Sequence, residues 1–225
     1  MLYYYMYYRY GLGAIYYRQE RLELAEYHFR KAHSINSSSS ILQCYLGMVL
    51  HAQNNTVIES EDNETEGYNI YKEQEAYNIL VHAITMDPNN PQLHFQLVHV
   101  LLSLDSTQDI IEDVEISPSS SSSSNVYIEQ VNNYLNKHIY LKQAIAELHI
   151  LTELAPKEPP VFSLLGQIYQ HKLCSIQKAV YYYNIAIELD PKEYSTLKEI
   201  LNNLDEPITD MDGYEEEEGM EEEDY

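Results

Sequence analysis

Histidine and cysteine are the residues of this chain best suited to catalysis or metal binding. The sequence has nine histidines and two cysteines, and no two histidines lie four residues apart. It contains no HExxH motif, no serine-centred nucleophile elbow, no phosphate-binding glycine loop and no cysteine pairs at metal-ligand spacing. We therefore predict that the chain is not an enzyme and that it has no catalytic residue, no metal site and no cofactor.

The two cysteines, Cys44 and Cys174, both fall within predicted helices, and neither belongs to a C-x-x-C pair. This favours free, buried thiols in a reducing compartment. One serine has the sequence context of a modification site. Ser117 precedes Pro118 in a serine-rich stretch, which predicts a phosphosite for a proline-directed kinase.

The formal net charge of −23 is unevenly distributed along the chain. Residues 205–225 carry twelve acidic residues and no basic residue, and the segments 56–75 and 105–137 carry the rest of the excess. The folded part is therefore expected to be neutral, with acidic attachments. Because no basic stripe is present and no apolar run is long enough to cross a bilayer, we expect neither a nucleic-acid nor a membrane partner.

Small and apolar residues recur at helical spacing in four segments, and the same steps appear each time. In one helix of each segment, an alanine is followed by apolar or aromatic residues four and then three positions later, and by proline or serine five positions after that. A preceding helix carries glycine or valine, with a large residue three positions later. The second-helix sets are Ala25-Phe29-Ala32-Ser37, Ala76-Leu80-Ala83-Pro88, Ala144-Leu148-Leu151-Pro156 and Ala179-Tyr183-Ala186-Pro191, and the first-helix pairs are Gly13–Tyr16, Gly47–Leu50, Val98–Leu101 and Gly166–Tyr169.

Small residues that let two helices approach, with aromatic residues filling the remaining space, are typical of the tetratricopeptide repeat (TPR). We predict an all-α fold, a TPR superhelix (α-solenoid) of about four helix hairpins, over residues 3–204. The predicted repeats are residues 6–39, 40–90, 91–158 and 159–193, and a capping helix at 194–204 completes the stack. Disordered inserts are predicted at 54–70 and 105–125, and an acidic disordered tail at 205–225.

In a superhelix of this kind, the first helix of each hairpin lines a concave groove. Aromatic and weakly polar residues occupy the positions that would face this groove, which suits an extended peptide with apolar anchors. The alternative is that several of these side chains only pack against the neighbouring turn. The candidates are Tyr10, Ala14, Tyr17, Arg18, Cys44, Met48, His51, Phe95, His99, Leu102, Ser163, Gln167 and His171.

Three stretches resemble one known family. The segment Tyr10–Ala32, the segment Asp87–Pro91, and the ending Leu189–Lys192 followed by Asp205–Thr209 are similar to the C-terminal TPR region of subunit three of the anaphase-promoting complex. The junction Glu206–Thr209, placed just after the last repeat, is the most specific of these matches. The resemblance covers nearly all of the chain except the two inserts.

This resemblance implies a non-catalytic scaffold subunit of that ubiquitin ligase, acting in mitotic protein ubiquitination in the nucleus and cytoplasm. Its partners would be the other subunits of the complex and the C-terminal Ile-Arg tails of coactivators and of the processivity subunit. The isoleucine would need an apolar pocket and the arginine an acid, for which Glu20 or Glu23 is the expected source. The N-terminal repeats that form the homodimer in that family have no match here, so homodimerisation stays open. The pocket candidates are Tyr10, Ala14, Tyr17 and Met48.

A second interpretation is a generic TPR adaptor or co-chaperone that binds a C-terminal peptide. Such domains hold an acidic peptide and its carboxylate with lysine, arginine and asparagine side chains. Among the groove candidates, Arg18 is the clear basic residue, and His51 and His171 are mostly neutral at pH 7. This interpretation is therefore less favoured.

Overall fold

The computed structural model describes residues 2–57, 66–109, 137–192, 197–199 and 201. Within these residues the chain is all-α, as predicted. The helices are α1 (Leu2–Arg18), α2 (Leu22–His33), α3 (Ser40–Val57), α4 (Glu66–Met86), α5 (Pro91–Asp109), α6 (Ile139–Leu154), α7 (Pro159–His171) and α8 (Ile176–Leu189).

The helices pack as successive hairpins, which confirms the predicted TPR superhelix. The hairpins are α1–α2, α3–α4, α5–α6 and α7–α8, and each second helix also packs against the first helix of the next hairpin. The first helices α1, α3 and α5 contact one another in turn. One continuous core therefore runs through the stack, as expected for a solenoid in which each repeat buries its neighbour's apolar face.

Close helix contacts depend on glycine in three of the four hairpins. A Cβ atom at Gly13 would lie 2.8 Å from the ring of Phe29, and one at Gly47 would lie 2.8 Å from Leu80. A Cβ at Gly166 would lie closer still to the ring of Tyr183. The small residue on the first helix and the large residue on the second therefore fill one shared space, as the repeated spacing predicted.

The predicted bounds of both inserts are wrong, because each predicted insert includes residues that are helical in the structure. Helix α3 continues to Val57, α4 begins at Glu66, and α5 continues to Asp109, so residues 54–57, 66–70 and 105–109 are helical rather than irregular. The polar character of these residues suggested a loop, but two of them, Asn54 and Asp105, are buried. Asn54 is buried and donates a hydrogen bond to the hydroxyl of Ser103 at 3.2 Å.

Asp105, where the second insert was predicted to begin, is fully buried. Its Oδ1 lies 3.1 Å from Nδ1 of His138, and its Oδ2 lies 3.5 Å from Nζ of Lys172. The carboxylate therefore links the end of α5 to the residues that precede α6 and follow α7. A buried carboxylate needs such hydrogen-bonding and charged partners to offset its loss of hydration.

The remaining parts of the predicted inserts, including Ser117, and the predicted acidic tail at 205–225 lie outside the described residues. Of the predicted capping helix, residues 197–199 and 201 are described and helical. Leu197 and Leu201 are buried in the same core cluster as Tyr183. In the part of the chain that the structure describes, no helix is both long enough and apolar enough to cross a membrane.

Candidate peptide-binding groove

The predicted groove residues lie on the first helices and differ widely in exposure. Tyr10, Ala14 and Tyr17 of α1 are half-buried and pack against the core, as does Met48 of α3. Arg18, Gln167 and His171 are exposed, whereas Ser163 is buried. Half-buried apolar side chains flanked by exposed polar ones are suited to holding an extended chain.

Cys44 fits the groove prediction least well. Its side chain is only 5% exposed, which leaves little surface for a ligand. Burial raises the pKa of the Cys44 thiol to about 11, so the thiol stays protonated at neutral pH. Cys44 behaves as a small apolar core residue.

At the α1 end of the groove, Tyr10 belongs to a cluster of three aromatic rings. The centroid of Tyr10 lies 5.2 Å from that of Tyr45 on α3, edge to face, and 6.1 Å from that of Phe29 on α2. Tyr45 in turn stacks on Phe29 at 5.4 Å. Burial and the hydrogen bond with Tyr45 raise the pKa of Tyr10 to about 12. The three rings pack α1, α2 and α3 against one another. The surface that they form is aromatic and uncharged.

At the centre of the stack, three predicted groove residues meet. The ring of His99 lies 4.8 Å from Phe95 on the same helix and 6.3 Å from His51 on α3. Burial lowers the pKa of His99, and the neighbouring His51 lowers it further. His99 is therefore neutral at pH 7, and its ring contributes aromatic surface rather than positive charge to the candidate groove.

Behind this cluster lies an acidic residue that the sequence analysis missed. Nδ1 of His51 is 2.6 Å from Oε1 of Glu73 on α4. The Glu73 side chain is 1% exposed, and among the described residues its second oxygen, Oε2, has no hydrogen-bond partner. A buried carboxylate oxygen without a partner is costly unless something else supplies a donor or a positive charge.

The position of Glu73 within the repeat is the feature of the sequence that could have identified it. In the second helix of every repeat, the residue three positions before the core alanine is apolar except at Glu73. An acid at a position that is apolar in the other three repeats breaks the pattern of the repeat, and such breaks are expected at functional sites. The apolar residues at the equivalent positions are Leu22, Leu141 and Ile176.

Glu20 and Glu23, the acids expected from the resemblance, are both exposed near the turn between α1 and α2. Glu20 has a left-handed backbone conformation with φ of 58°. Within the described part of the chain, neither carboxylate forms a hydrogen bond or ion pair with a groove side chain, whereas Glu73 contacts His51 directly. The carboxylate in contact with a predicted groove residue is therefore Glu73, behind the ring of His51, rather than Glu20 or Glu23.

A network of ion pairs and hydrogen bonds between α2, α3 and α4 connects the first two hairpins. Arg30 on α2 donates to both oxygens of Glu75 on α4, at 2.8 and 2.7 Å, and also to Glu26 at 2.8 Å. Lys72 donates to Glu26 at 3.2 Å and to Gln53 at 2.5 Å. Burial alone would raise the pKa of Glu26, but these hydrogen bonds outweigh it and lower the pKa.

A cavity of about 590 Å³ lies beside this network, between α2, α3 and α4. None of the predicted groove residues lines it. Within the described residues, no group of three histidine, cysteine or carboxylate side chains is placed to hold a metal ion. The lining residues are His33, Ser37, Ser38, Gln43, Glu75, Asn78, Ile79, His82 and Met86.

No family model matches the chain, but curated proteins do. Cell division cycle protein 27 homolog B of Arabidopsis thaliana is 29% identical over 200 residues, which is 88% of this chain and 20% of that protein. Anaphase-promoting complex subunit 3 of Dictyostelium discoideum is 32% identical over 182 residues, 81% of this chain and 13% of that protein. The resemblance indicated by the sequence motifs is thus confirmed, and the chain spans about a fifth or less of these two relatives.

Among solved structures, MamA from Desulfovibrio magneticus RS-1 superposes with a TM-score of 0.55 at 14% identity. The alignment covers 89% of both chains. At this identity the likeness shows the fold alone, namely a stack of helix hairpins along nearly the whole chain.

Proposed function

Because the chain is similar to Cdc27 homologues and to anaphase-promoting complex subunit 3 proteins along most of its length, we propose that it is a non-catalytic TPR scaffold subunit of an anaphase-promoting complex ubiquitin ligase. The similarity over 81% to 88% of this chain is the observation that carries the proposal. In this role it acts in mitotic protein ubiquitination, in the nucleus and cytoplasm, and contacts other subunits of the complex.

Within that role, the groove binds the C-terminal Ile-Arg tails of coactivator and processivity subunits. Tyr10, Tyr17 and Met48 are half-buried apolar residues on neighbouring first helices, and they provide the surface for the isoleucine. Glu73, with one oxygen on His51 and the other without a partner among the described residues, supplies negative charge for the arginine. A guanidinium pairs favourably with a carboxylate that is shielded from water.

The groove charges give less support to the co-chaperone alternative. An acidic peptide would need several cations, and Arg18 is the one arginine or lysine among the predicted groove residues. His99 is held neutral by burial, and Glu73 would repel a C-terminal carboxylate. The groove therefore fits a cationic chain end better than an anionic one.

A peptide-binding measurement on the whole chain separates the two functions. Fluorescence anisotropy would compare peptides ending in Ile-Arg, in Ile-Glu and in Glu-Glu-Val-Asp. The proposal predicts that only the Ile-Arg peptide binds, and that binding weakens in high salt because its specificity is partly electrostatic. Binding of the Glu-Glu-Val-Asp peptide alone would favour the co-chaperone function instead.

Membership of the complex has its own test. Affinity purification of the tagged protein from mitotic cells is expected to recover cullin-type and RING-type subunits in stoichiometric amounts. Recovery of chaperones without those subunits would contradict the scaffold role, whatever the peptide measurement shows.

A further inference from the structure

The cavity between α2, α3 and α4 is a site that the proposed function does not use. Its volume of about 590 Å³ lies in the range of ligand pockets, and none of the predicted groove residues lines it. Its walls combine apolar side chains, Ile79 and Met86, with amide, hydroxyl and imidazole groups. We call it the second-hairpin cavity, because most of its lining belongs to α3 and α4.

The repeat register shows what occupies the equivalent place in two other hairpins. There, the residue four positions before the first-helix glycine or valine contacts the residue three positions after the core alanine of the second helix. In the first hairpin, Nη1 of Arg9 lies 3.1 Å from Nδ1 of His28. In the third hairpin, Nδ1 of His94 lies 2.6 Å from Oε2 of Glu147. A hydrogen-bonded pair therefore joins the two helices of each of these hairpins.

The second hairpin has no such pair. The equivalent residues are Gln43 and Ile79, and the side chain of Ile79 has no polar atom. The Gln43 side chain instead donates from Nε2 to the carbonyl of Ser37 at 2.7 Å, and its Oε1 lies 3.2 Å from Nδ1 of His82. Because Gln43 and Ile79 both line the second-hairpin cavity, the cavity lies where the first and third hairpins have their hydrogen-bonded pairs.

One imidazole nitrogen of the cavity wall is buried without a partner. Among the described residues, nothing forms a hydrogen bond with Nδ1 of His33. Burial lowers the pKa of His33, and the nearby Arg30 and His82 lower it further, so the ring is neutral at pH 7. A buried polar atom without a hydrogen bond is costly. A ligand that forms a hydrogen bond with Nδ1 removes this cost.

The charges around the cavity favour an uncharged ligand. Glu75 is the acidic residue of the wall, and both of its oxygens accept hydrogen bonds from Arg30. Because this ion pair is complete and His33 is neutral, neither residue offers a charged ligand a free partner of opposite charge. A carboxamide has both a donor and an acceptor, so it can pair with an imidazole nitrogen in either tautomer.

We propose that the second-hairpin cavity binds an uncharged peptide segment of a protein partner, which places an asparagine or glutamine side chain against Nδ1 of His33. The other amide groups of the segment pair with the carboxamide of Asn78 and the hydroxyls of Ser37 and Ser38, and its apolar atoms pack on Ile79. The cavity is separate from the candidate groove, so this partner is additional to the peptide that the groove binds.

The segments of this chain that lie outside the described residues are less suited to the cavity than a partner is. Residues 58–65, 110–136 and 202–225 include acidic residues and no lysine or arginine. Beside Glu75, an acidic segment would add repulsion without bringing a cation. An uncharged segment of another protein avoids this repulsion.

Nuclear magnetic resonance on the whole chain tests the ligand class. The probe is N-acetyl-asparagine-N′-methylamide, and the comparison ligands are N-acetyl-aspartate-N′-methylamide and inorganic phosphate. Only the asparagine probe should shift the imidazole signals of His33 and the carboxamide signals of Asn78, with saturation at roughly millimolar concentration, as expected for a ligand of this size. Equal shifts from all three ligands, shifts from an anion alone, or no shift would overturn the proposal.

Asn78→Tyr is the blocking variant, since a large side chain at this position fills the cavity mouth. The first and fourth hairpins carry exposed tyrosines at the same position, Tyr27 and Tyr181, so the fold tolerates one there. The variant should weaken probe binding about tenfold or more, whereas the matched control Ala146→Tyr, at the equivalent exposed position of the third hairpin, should bind as wild type does. If Asn78→Tyr lowers the thermal midpoint, Ser38→Trp replaces it. Loss of binding in both tyrosine variants, or in neither, contradicts the proposal.

Site-specific crosslinking identifies the source of the segment. The photo-crosslinker p-benzoylphenylalanine replaces Ser38, an exposed residue of the cavity wall, in the protein as its own cells express it. The expected adduct maps to a segment of another protein that contains asparagine or glutamine, and it is lost when Asn78→Tyr is also present. An adduct within this chain, an adduct to a second copy of it, or no adduct would show that the cavity has no such partner.

Discussion

The ring of Phe29 on α2 lies directly against Gly13 on α1, at a position where a Cβ would come within 2.8 Å of the ring. Phe29 is fully buried, and the dense packing of protein cores leaves such a ring little room to move. The contact sets how closely the first two helices approach. It also lies directly under the candidate groove, because Phe29 packs against the Tyr10 and Tyr45 rings.

Gly13→Ala should destabilise the chain by about 1–3 kcal/mol, the usual cost of overpacking a full core. The matched control is Gly11→Ala, two residues earlier in the same helix, whose Cβ meets nothing within 4 Å. That control should be neutral or stabilising by up to about 1 kcal/mol, because alanine favours the helix over glycine. Urea unfolding followed by circular dichroism measures both, and equal effects of the two variants would contradict the packing argument.

The glycine contacts could be predicted from the sequence because they recur in register. Gly13, Gly47 and Gly166 each lie in a first helix. The second helix of the same hairpin carries a large residue four positions after its core alanine, and the structure places each glycine against that residue. Repetition of one pattern carries enough information to define the fold. Residues outside the pattern are harder to interpret. When a polar residue occurs at only one repeat, the sequence does not show whether its role is structural or functional.

Asp105 and Glu73 illustrate what the sequence could not provide. Both acids lie in acidic stretches, so local composition suggested solvent-exposed residues. Their burial depends on His138 and Lys172 for Asp105, and on His51 for Glu73. These partners are distant in sequence, so only the assembled stack shows which residues each buried acid contacts.

Buried histidines should make the stability depend on pH below neutrality. Burial lowers the pKa of His28, as does the nearby Arg9, and burial also lowers the pKa of His99. When pH falls below the ordinary value of 6.5, the unfolded chain binds protons that the folded chain does not, so the free energy of unfolding decreases. Thermal midpoints should therefore fall between pH 7 and pH 5.

The variant His28→Gln should make this decline shallower, since it removes one of the titrating groups but keeps an acceptor for Arg9. The lowered pKa of Glu26 adds its own loss of stability only below its ordinary value of 4.5, so the window above pH 5 isolates the histidines. A midpoint that is constant from pH 7 to pH 5 would show that the buried histidines are not held neutral.

The two cysteines should differ in reactivity. Burial raises the pKa of Cys44 to about 11, whereas Cys174 is half-buried in the turn between α7 and α8. Because the thiolate is the reactive form, N-ethylmaleimide at pH 7.5 should modify Cys174 and leave Cys44 unmodified until the chain unfolds. Peptide mapping by mass spectrometry measures both sites, and rapid modification of native Cys44 would contradict its placement in the core.

Glu73→Gln tests the carboxylate behind the groove. The substitution keeps the shape and an acceptor for His51 but removes the charge. It should weaken binding of a peptide ending in Ile-Arg by about tenfold or more, equivalent to about 1.4 kcal/mol, and reduce the salt dependence of that binding. A peptide ending in Ile-Gln, which lacks the guanidinium, should bind wild type and variant equally.

The matched control for this prediction is Glu75→Gln, two residues along α4 in the second-helix network with Arg30. It removes the same charge from the same helix but contacts no groove residue, so peptide affinity should not change. Because a partly exposed ion pair contributes at most about 1 kcal/mol, the variant should also fold. Equal losses in both variants would mean that net charge governs the interaction, whereas a loss confined to Glu73→Gln would assign the arginine to the carboxylate behind His51.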